Sequence, residues 1–218
     1  MEMLEIMKQR HSVRQYTDRA IEQEKRDILN GLTAEINKKT GLHIQIIYDE
    51  PKCFDSFMAH YGKFGGVKNY IALVGKKSQN TEELLGYYGE QLVLKAQELG
   101  LNTCWVALTH GKSSADIAKG EKLVCLISLG YGVTPGTAHQ SKLLNALCNY
   151  SSDMPLWFLN GMEAASLAPT AMNQQKFFFE LLPNGDVKAS CGSGFYTKLD
   201  LGIVKYHFEA VSGKSIFK

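Results

Sequence analysis

Several features that define specialised classes of protein are scarce in this chain of 218 residues. It contains only 5 prolines, and 24 basic residues nearly balance 22 acidic ones, for a formal net charge of +2. A charge this small argues against a surface that binds nucleic acid through a broad excess of lysine and arginine. The hydrophobic content of 44% is typical of a folded globular chain and excludes a disordered one.

The cysteines do not form a recognisable framework. There are 5, an odd number, and no two of them make a C-x-x-C pair. This pattern argues against both a disulfide scaffold and a zinc ribbon. The apolar neighbours of Cys104, Cys125 and Cys148 predict buried thiols, which fits a reducing compartment. We therefore expect a cytoplasmic protein.

Long hydrophobic runs are also missing. The longest apolar stretches, such as residues 123–129, are much shorter than the roughly 20 residues that a membrane-spanning helix needs. The first ten residues, MEMLEIMKQR, alternate charged and apolar side chains, which is not typical of a signal peptide. The sequence therefore predicts neither a targeting segment nor a membrane partner.

The common catalytic motifs are missing as well. The sequence has no G-x-x-x-x-G-K-[ST] phosphate loop, no H-E-x-x-H zinc motif and no G-x-S-x-G nucleophile motif. Its 6 histidines are scattered, without the spacing of metal ligands, so we expect no metal site. Because the sequence shows no convincing group of acid–base or nucleophilic catalytic residues, we expect that any chemistry depends on a bound cofactor.

The hydrophobic pattern predicts a mixture of helices and sheet strands, which is the α+β class. Predicted helices cover residues 3–9, about 17–39, 81–99, 153–167 and about 197–213. Predicted strands cover residues 43–48, 69–74, 123–129, 176–182 and 187–191, and 101–108 is a buried segment after a turn. Thr17 and Asp153 are the expected caps of two of these helices. The buried side of the 17–39 helix is expected to consist of Ile21, Ile28, Leu32 and Ile36.

The two halves of the chain look alike. Residues 28–50 and residues 158–182 both contain a helix with the letters L-N-G, then a polar loop and a strand. Each half continues through a second strand into another helix. We therefore predict one domain, residues 1–218, with a duplicated helix–strand–strand–helix unit at about 17–109 and 151–213.

The segment Arg10-His11-Ser12-Val13-Arg14 carries the strongest binding signal. In an extended backbone alternate side chains share a face, so Arg10, Ser12 and Arg14 are expected to point the same way. Two guanidinium groups and a hydroxyl on one face can bind phosphate oxygens. The alternative is a solvated basic turn, which exposed charges form more often.

Three other segments are weaker candidates. The loop Ala168–Gln175 can present a hydroxyl, an amide and backbone groups, but it can equally be an ordinary helix-to-strand connection. Lys63, between Gly62 and the glycines that follow Phe64, can approach a flat ligand or lie in a flexible surface loop. Lys142 follows a glycine-rich turn and is an exposed cation in the simplest interpretation.

Taken in order, these motifs resemble the nitroreductase and flavin reductase family, which binds FMN. The segment 10–16 is similar to the family's R-R-S-x-R-x-F start, and 90–105 (EQLVLKAQELGLNTCW) to its central helix and following turn. Residues 129–132 (LGYG) are similar to its L-G-Y-P turn, and 168–175 (APTAMNQQ) to its A-P-S-x-x-N-x-Q-P loop. The resemblance covers nearly the whole chain.

The resemblance implies a three-layer α/β/α sandwich. In the family the A-P-S-x-x-N loop follows the arginine motif closely, whereas here residues 36–41 occupy that place and the loop lies near the C-terminus. This arrangement points to the single-chain, pseudo-dimeric subgroup, a monomer or a homodimer. One FMN site would be kept in each chain, and residues 36–41 would be the degenerate loop of a lost second site.

The resemblance also implies roles for individual residues. Arg10, Ser12 and Arg14 would hold the FMN phosphate and ribityl chain, with Lys142 assisting and His11 alongside. Lys63 would approach the pyrimidine edge, where a cation stabilises the negative charge of reduced flavin. The remaining expected contacts are backbone groups and a packed loop on the other side of the flavin: Val106, Ala107, Pro169, Thr170, Ala171 and Asn173.

The implied activity is that of an FMN-dependent oxidoreductase with a ping-pong mechanism. NADH or NADPH would supply hydride, and a small-molecule acceptor such as a nitroaromatic or a quinone would receive it. Two alternatives stay open from the sequence: a flavin- or nucleotide-binding protein without turnover, and a phosphate-binding module unrelated to flavins.

Overall fold

The computed structural model describes residues 2–216 of the chain. Within that range it contains six α-helices, which are α1 (Met3–Gln9), α2 (Gln23–Thr40), α3 (Phe57–Tyr61), α4 (Thr81–Glu98), α5 (Leu156–Ser166) and α6 (Thr197–Ser212). The same residues form six β-strands, which are β1 (Gln45–Ile47), β2 (Asn69–Lys76), β3 (Asn102–Val106), β4 (Glu121–Gly130), β5 (Phe177–Leu181) and β6 (Val187–Cys191). This composition confirms the α+β class.

The chain forms two compact units. The sheet unit consists of Arg10–Thr81 and Leu92–Ala138. The hairpin unit consists of the residues up to Gln9, the segment Glu82–Gln91 and the residues from His139 onward. Both units are therefore assembled from segments that are distant in sequence.

A four-stranded antiparallel sheet, in the order β1-β2-β4-β3, is the centre of the sheet unit. In β2, the five consecutive residues Tyr70 to Val74 are fully buried. A strand covered on both faces has no polar side, which explains why residues 69–74 form a continuous apolar run. The apolar cluster on this sheet includes Phe54, Phe64 and Tyr70.

The hairpin unit has an aromatic core. The ring of Phe208 on α6 lies 5.7 Å from the ring of Phe158 on α5 and 5.0 Å from the ring of Phe179 on β5. Strands β5 and β6 pair in antiparallel register, and the turn between them contains Asn184 and Gly185, a dipeptide typical of hairpin turns. Within residues 2–216 no helix combines the length and the apolar character needed to cross a membrane.

A histidine and a glutamate are fully buried together in the hairpin unit. His207 Nδ1 lies 2.9 Å from the Ala164 carbonyl oxygen, and His207 Nε2 lies 2.9 Å from Glu90 Oε1. A carbonyl oxygen only accepts, so Nδ1 carries a hydrogen. The contact with Glu90 then needs one further proton, either on Nε2 or on the carboxyl group. The hydrogen bond between His207 and Glu90 joins α6 to α4.

Helix α2 differs from its prediction in three respects. It begins at Gln23, because Thr17 does not cap it and bonds instead to the carbonyl of Tyr131. Its buried residues are Leu29, Thr33 and Ile36, while Ile28 is exposed. Residues 36–40, which we expected to be a degenerate loop, form its last turn, and the left-handed Gly41 ends it.

Helix α5 begins later than predicted. Pro155 occupies the position before its first residue, and the Asp153 carboxylate bonds to the Ser151 hydroxyl instead of capping the helix. The order α2-β1-α3-β2-α4 differs from the order α5-β5-β6-α6 by the short helix α3, and the predicted first repeat, 17–109, contributes residues to both compact units. The duplication stays a prediction.

Two glycines allow α4 and α6 to approach each other closely. A Cβ atom added at Gly202 would lie 2.0 Å from the Glu83 carbonyl oxygen, and one added at Gly86 would lie 2.0 Å from the Leu199 carbonyl oxygen. Backbone atoms on both sides cannot move aside as a flexible side chain can. The two helices therefore pack backbone to backbone at this crossing.

We expect Gly202→Ala to destabilise the protein, because α6 has to move away from α4. Overpacking of this kind costs about 1–3 kcal/mol in the free energy of unfolding, measured by urea denaturation. The control is Gly31→Ala in α2, where an added Cβ meets no atom within 4 Å. That change should stabilise the helix by about 0.5–1 kcal/mol. Equal effects of the two changes would contradict the close packing of α4 on α6.

Candidate functional site

An extended segment, residues 10–17, crosses the sheet unit and is bonded to three other segments. The Val13 N–H donates to the Thr103 carbonyl on β3 at 3.0 Å. The Tyr16 N–H donates to the Gly65 carbonyl at 3.0 Å, and the Thr17 N–H donates to the Tyr131 carbonyl at 2.8 Å. Together with the burial of the Val13 and Tyr16 side chains, these bonds fix the register of the segment.

The three predicted alternate residues all act on one buried thiol. The Ser12 hydroxyl bonds to the thiol of Cys104 on β3, and Arg10 and Arg14 are both close enough to lower the pKa of that thiol by their charge. Burial is the larger effect and raises the pKa of Cys104, so the thiol stays neutral. Arg10 is only 4% exposed, whereas Arg14 is exposed. The Ser12 hydroxyl therefore contacts this buried thiol, and the charges of both arginines act on it.

His11 lies on the other side of the same segment. It is partly buried, and an added Cβ at Gly136 would lie 2.9 Å from the His11 Cβ, so the loop after β4 packs against it. Burial lowers the pKa of His11, and the neighbouring Arg10 charge lowers it further. Both effects favour the neutral imidazole.

The loop that carries Lys63 is fixed to the extended segment. The Gln15 side-chain amide donates to the Lys63 carbonyl at 2.5 Å, and Lys63 has a left-handed φ of 63°. The guanidinium of Arg14 lies 5.9 Å from the centre of the Phe64 ring. The Lys63 side chain is exposed, so its charge lies at the surface beside Arg14's segment.

The end of β3 completes this group of segments. Val106 is the last residue of β3 and is buried, and Ala107 follows it in a partly exposed bend. An added Cβ at Gly62 would lie 2.6 Å from the Thr109 Cβ, so the bend packs against the Lys63 loop. Seven of the predicted site residues therefore belong to neighbouring segments of the sheet unit: Arg10, His11, Ser12, Arg14, Lys63, Val106 and Ala107.

The other five predicted residues belong to the hairpin unit: Lys142, Pro169, Thr170, Ala171 and Asn173. Pro169 follows α5, and Ala171–Asn173 form a short 3-10 turn in which Met172 has a φ of 53° and a ψ of 24°. The Asn173 side-chain amide donates to the Gln140 carbonyl at 3.0 Å. The loop is therefore tied to the segment that leads to Lys142.

Lys142 forms three hydrogen bonds with this loop. Its ammonium donates to the Gln174 carbonyl at 2.9 Å and to the Gln175 carbonyl at 3.1 Å. Its backbone N–H donates to the Gln175 side-chain oxygen at 2.8 Å. In this structure the positive charge of Lys142 is therefore directed at backbone oxygens of the loop.

Sequence reasoning missed three residues that shape these segments. Gln15 hydrogen-bonds to the Lys63 loop. Cys104 is the buried thiol that contacts the Ser12 hydroxyl. Asp200 accepts a hydrogen bond from the 170–175 loop of the hairpin unit. Only Cys104 gave a sequence signal, as a buried thiol. Gln15 and Asp200 belong to residue types that are usually exposed, and tertiary contacts alone give them a role.

Gly66 sets the distance between the Lys63 loop and the extended segment. It has a φ of 69°, and an added Cβ would lie 2.3 Å from the Tyr16 carbonyl oxygen. We expect Gly66→Ala to lower the free energy of unfolding by about 2 kcal/mol or more, because backbone strain and a clash add together. Denaturation in urea measures the effect.

The matched control is Gly120→Ala. Gly120 also has a positive φ, of 90°, but an added Cβ there meets no atom within 4 Å. Its replacement should cost only the backbone strain, about 1–2 kcal/mol. A loss at Gly66 no larger than the loss at Gly120 would show that the approach to Tyr16 is not tight.

Solved structures with a similar fold come from several bacteria. The "putative nitroreductase" of Thermotoga maritima MSB8 has a TM-score of 0.72 and 22% identity, over 97% of this chain and 83% of that one. A "putative nitroreductase in complex with FMN" from Desulfovibrio desulfuricans has a TM-score of 0.54 and 20% identity, over 70% and 98%. A "putative NADH dehydrogenase/NAD(P)H nitroreductase" from Bacteroides thetaiotaomicron VPI-5482 has a TM-score of 0.52 and 20% identity, over 66% and 95%. No curated protein matches the chain.

These similarities confirm the nitroreductase-like fold that the motifs implied. A family model described as "Putative TM nitroreductase" matches residues 2–212, which is nearly the whole chain. Because that match includes both the arginine motif and the 168–175 loop, the chain belongs to the TM nitroreductase family.

Proposed function

We propose that this chain is an FMN-dependent oxidoreductase that passes hydride from NADH or NADPH to a small acceptor such as a nitroaromatic or a quinone. The observation that carries the proposal is the fixed position of the segment with Arg10, Ser12 and Arg14, which backbone hydrogen bonds join to β3 and to the Lys63 loop. Family membership supports the same conclusion, and one relative of similar fold is described in complex with FMN.

The residues of the sheet unit fit the chemistry of FMN. A phosphate monoester is a dianion with several acceptor oxygens, and each guanidinium offers paired donors to such oxygens. Arg10 is buried, so its charge is shielded from solvent, whereas the exposed Arg14 can reach a ligand from the surface. Ser12 adds a hydroxyl suited to the phosphate or the polyol chain. We assign these three residues to the phosphate and ribityl end.

The neighbouring segments suit the ring end of the ligand. Lys63 provides a positive charge at the surface of a loop held by Gln15 and Gly66. The backbone at Val106 and Ala107 follows a buried strand, so its direction is fixed by the sheet. We assign Lys63 to the pyrimidine edge and the Val106-Ala107 backbone to the ring nitrogen that receives hydride.

For the residues of the hairpin unit we propose the roles that the resemblance implies. Pro169, Thr170, Ala171 and Asn173 would pack and hydrogen-bond against the ligand. Lys142 is assigned to supporting this loop, because its ammonium already bonds to two loop carbonyls. This supporting role differs from the direct contact of Lys142 with the phosphate that the resemblance implied.

When bound, FMN supplies the hydride-transfer chemistry itself. The chain binds it, orients it and sets the charge around it. Since His11 is held neutral by burial and by the Arg10 charge, the positive charge of the phosphate end comes from the two arginines. A preorganised charge of this kind needs no reorganisation when a charged ligand arrives.

Flavin uptake tests the proposal. Protein purified and mixed with FMN should retain a yellow chromophore through gel filtration, and acid denaturation should release it. Anaerobic addition of NADH or NADPH should then bleach the flavin absorbance, and a quinone should restore it. A protein that takes up no FMN would contradict the cofactor assignment. One that binds FMN but is not bleached by either nucleotide would be a flavin-binding protein without turnover.

We expect Arg14→Ala to weaken FMN binding. The loss of a charge-assisted hydrogen bond to phosphate corresponds to roughly a 10- to 100-fold increase in Kd, measured by quenching of FMN fluorescence. The matched control is Arg19→Ala, which removes the same charge from the sheet unit but from a guanidinium 4.0 Å above the Tyr131 ring. An equal change in both variants would mean that Arg14 acts only through net charge.

A further inference from the structure

The 170–175 loop (residues Thr170 to Gln175) has a backbone conformation that its residue types do not favour. Met172 and Asn173 have φ values of 53°, and Gln175 has a φ of 46°. None of the three is glycine, and although asparagine tolerates the left-handed region, Met172 and Gln175 each cost free energy there. The Met172 side chain is 96% exposed, so burial of this side chain does not compensate for the strain. Contacts elsewhere must hold the loop in this shape.

Some of the hydrogen bonds that stabilise this loop come from residues that precede α5. The Gln140 carbonyl accepts hydrogen bonds from two side-chain amides, that of Asn173 at 3.0 Å and that of Gln175 at 2.9 Å. The Lys142 ammonium bonds to the carbonyls of Gln174 and Gln175. These contacts fix the C-terminal half of the loop.

The N-terminal half is held by one carboxylate. Asp200, in the first turn of α6, is 4% exposed. Its Oδ1 accepts from the Ala171 N–H at 2.9 Å, and its Oδ2 accepts from the Gln174 side-chain amide at 2.7 Å. The same amide also donates to the Phe195 carbonyl at 2.8 Å. Both carboxylate oxygens are thus engaged by the loop, at the two residues that flank Met172 and Asn173.

The surroundings of Asp200 make its ionisation sensitive to pH. Burial raises its pKa to about 6, although the hydrogen bonds from Ala171 and Gln174 act in the opposite direction. The charged groups on the elements around it are exposed or bonded to other partners: Lys142, Lys176, Lys198, and the Glu83–Lys205 ion pair. Burial therefore sets this pKa, and the ionised form depends on the two loop donors.

We propose that the ionised carboxylate of Asp200 is the positioning group that holds the 170–175 loop in its left-handed conformation, and that protonation loosens the loop. A protonated carboxyl has one oxygen that carries a hydrogen, so it cannot accept equally from Ala171 and Gln174. The further consequence rests on the proposed function: if Thr170, Ala171 and Asn173 contact FMN, loosening the loop weakens FMN binding.

Global stability should respond to the same protonation with the opposite sign. The pKa of about 6 in the folded protein is above the ordinary value of 3.8, so the folded state binds this proton more tightly than the unfolded chain. The contribution of Asp200 to stability therefore improves as the pH falls through that range, while its hold on the loop weakens. If Asp200 had only a structural role, a fall in pH would change the stability of the protein and the order of the loop in the same direction.

The test compares the wild type with Asp200→Asn and with Asp186→Asn, a control at the exposed hairpin turn of the same unit. Residue-resolved hydrogen exchange reports on the Ala171 amide without any ligand. Above the pKa of Asp200, we expect Ala171 to exchange about tenfold faster in Asp200→Asn than in the wild type or the control, the equivalent of one lost charge-assisted hydrogen bond. The melting temperature of Asp200→Asn should not fall.

FMN affinity is measured on the same three proteins above and below the pKa of Asp200. The wild type and Asp186→Asn should lose about tenfold in affinity on acidification, and Asp200→Asn should be weak at both pH values. Equal protection of Ala171 in all three proteins would overturn the proposal. Faster exchange with unchanged FMN affinity would refute only the loop's contact with FMN. Faster exchange in a protein that binds no FMN would refute the proposed function and keep the positioning role.

Discussion

The candidate site depends on the docking of one extended segment, residues 10–17, across the sheet unit. Backbone hydrogen bonds join it to β3 at Thr103, to the Lys63 loop at Gly65 and to the turn after β4 at Tyr131. Side chains alternate along an extended backbone, so a shift of one residue would exchange the two faces. The backbone hydrogen bonds at Val13, Tyr16 and Thr17 exclude that shift and so fix the positions of Arg10, Ser12 and Arg14.

Charge at this place is controlled by burial. Cys104 is a neutral thiol although two guanidinium groups lower its pKa, because desolvation outweighs them. His11 is shifted toward its neutral form by burial and by Arg10. The positive potential of the segment therefore comes from arginines, whose charge does not depend on pH in the physiological range. Such a source of charge suits a ligand with a permanent negative group.

The hairpin unit contains two buried carboxyl groups with different roles. Glu90 shares a proton with His207, whose other nitrogen bonds to the Ala164 carbonyl, so this pair joins core helices. Asp200 instead bonds to a loop with an exposed methionine and three left-handed residues. A buried group that holds a strained surface loop is more readily related to ligand binding than one that joins two helices, because loop strain is stored where function requires it.

The sequence by itself determined the class of fold, most of the elements and the family. Strong local patterns made this possible: β-branched runs for β2 and β4, the Asn184-Gly185 turn, and the order of the motifs from Arg10 to Gln175. Its errors occurred where local propensity was overridden. Thr17 bonds to a distant carbonyl and so does not cap α2, and Asp153 bonds to the Ser151 hydroxyl and so does not cap α5.

Only the tertiary structure decided which residues hold the predicted ones in place. Gln15, Cys104 and Asp200 are separated in sequence from the groups they contact or carry no special pattern of their own, and no periodicity identifies such partners. Close approaches at Gly66, Gly86 and Gly202 are likewise properties of two segments at once. A sequence read along one chain shows what each residue favours locally, whereas burial and pairing depend on segments that meet only in the folded protein.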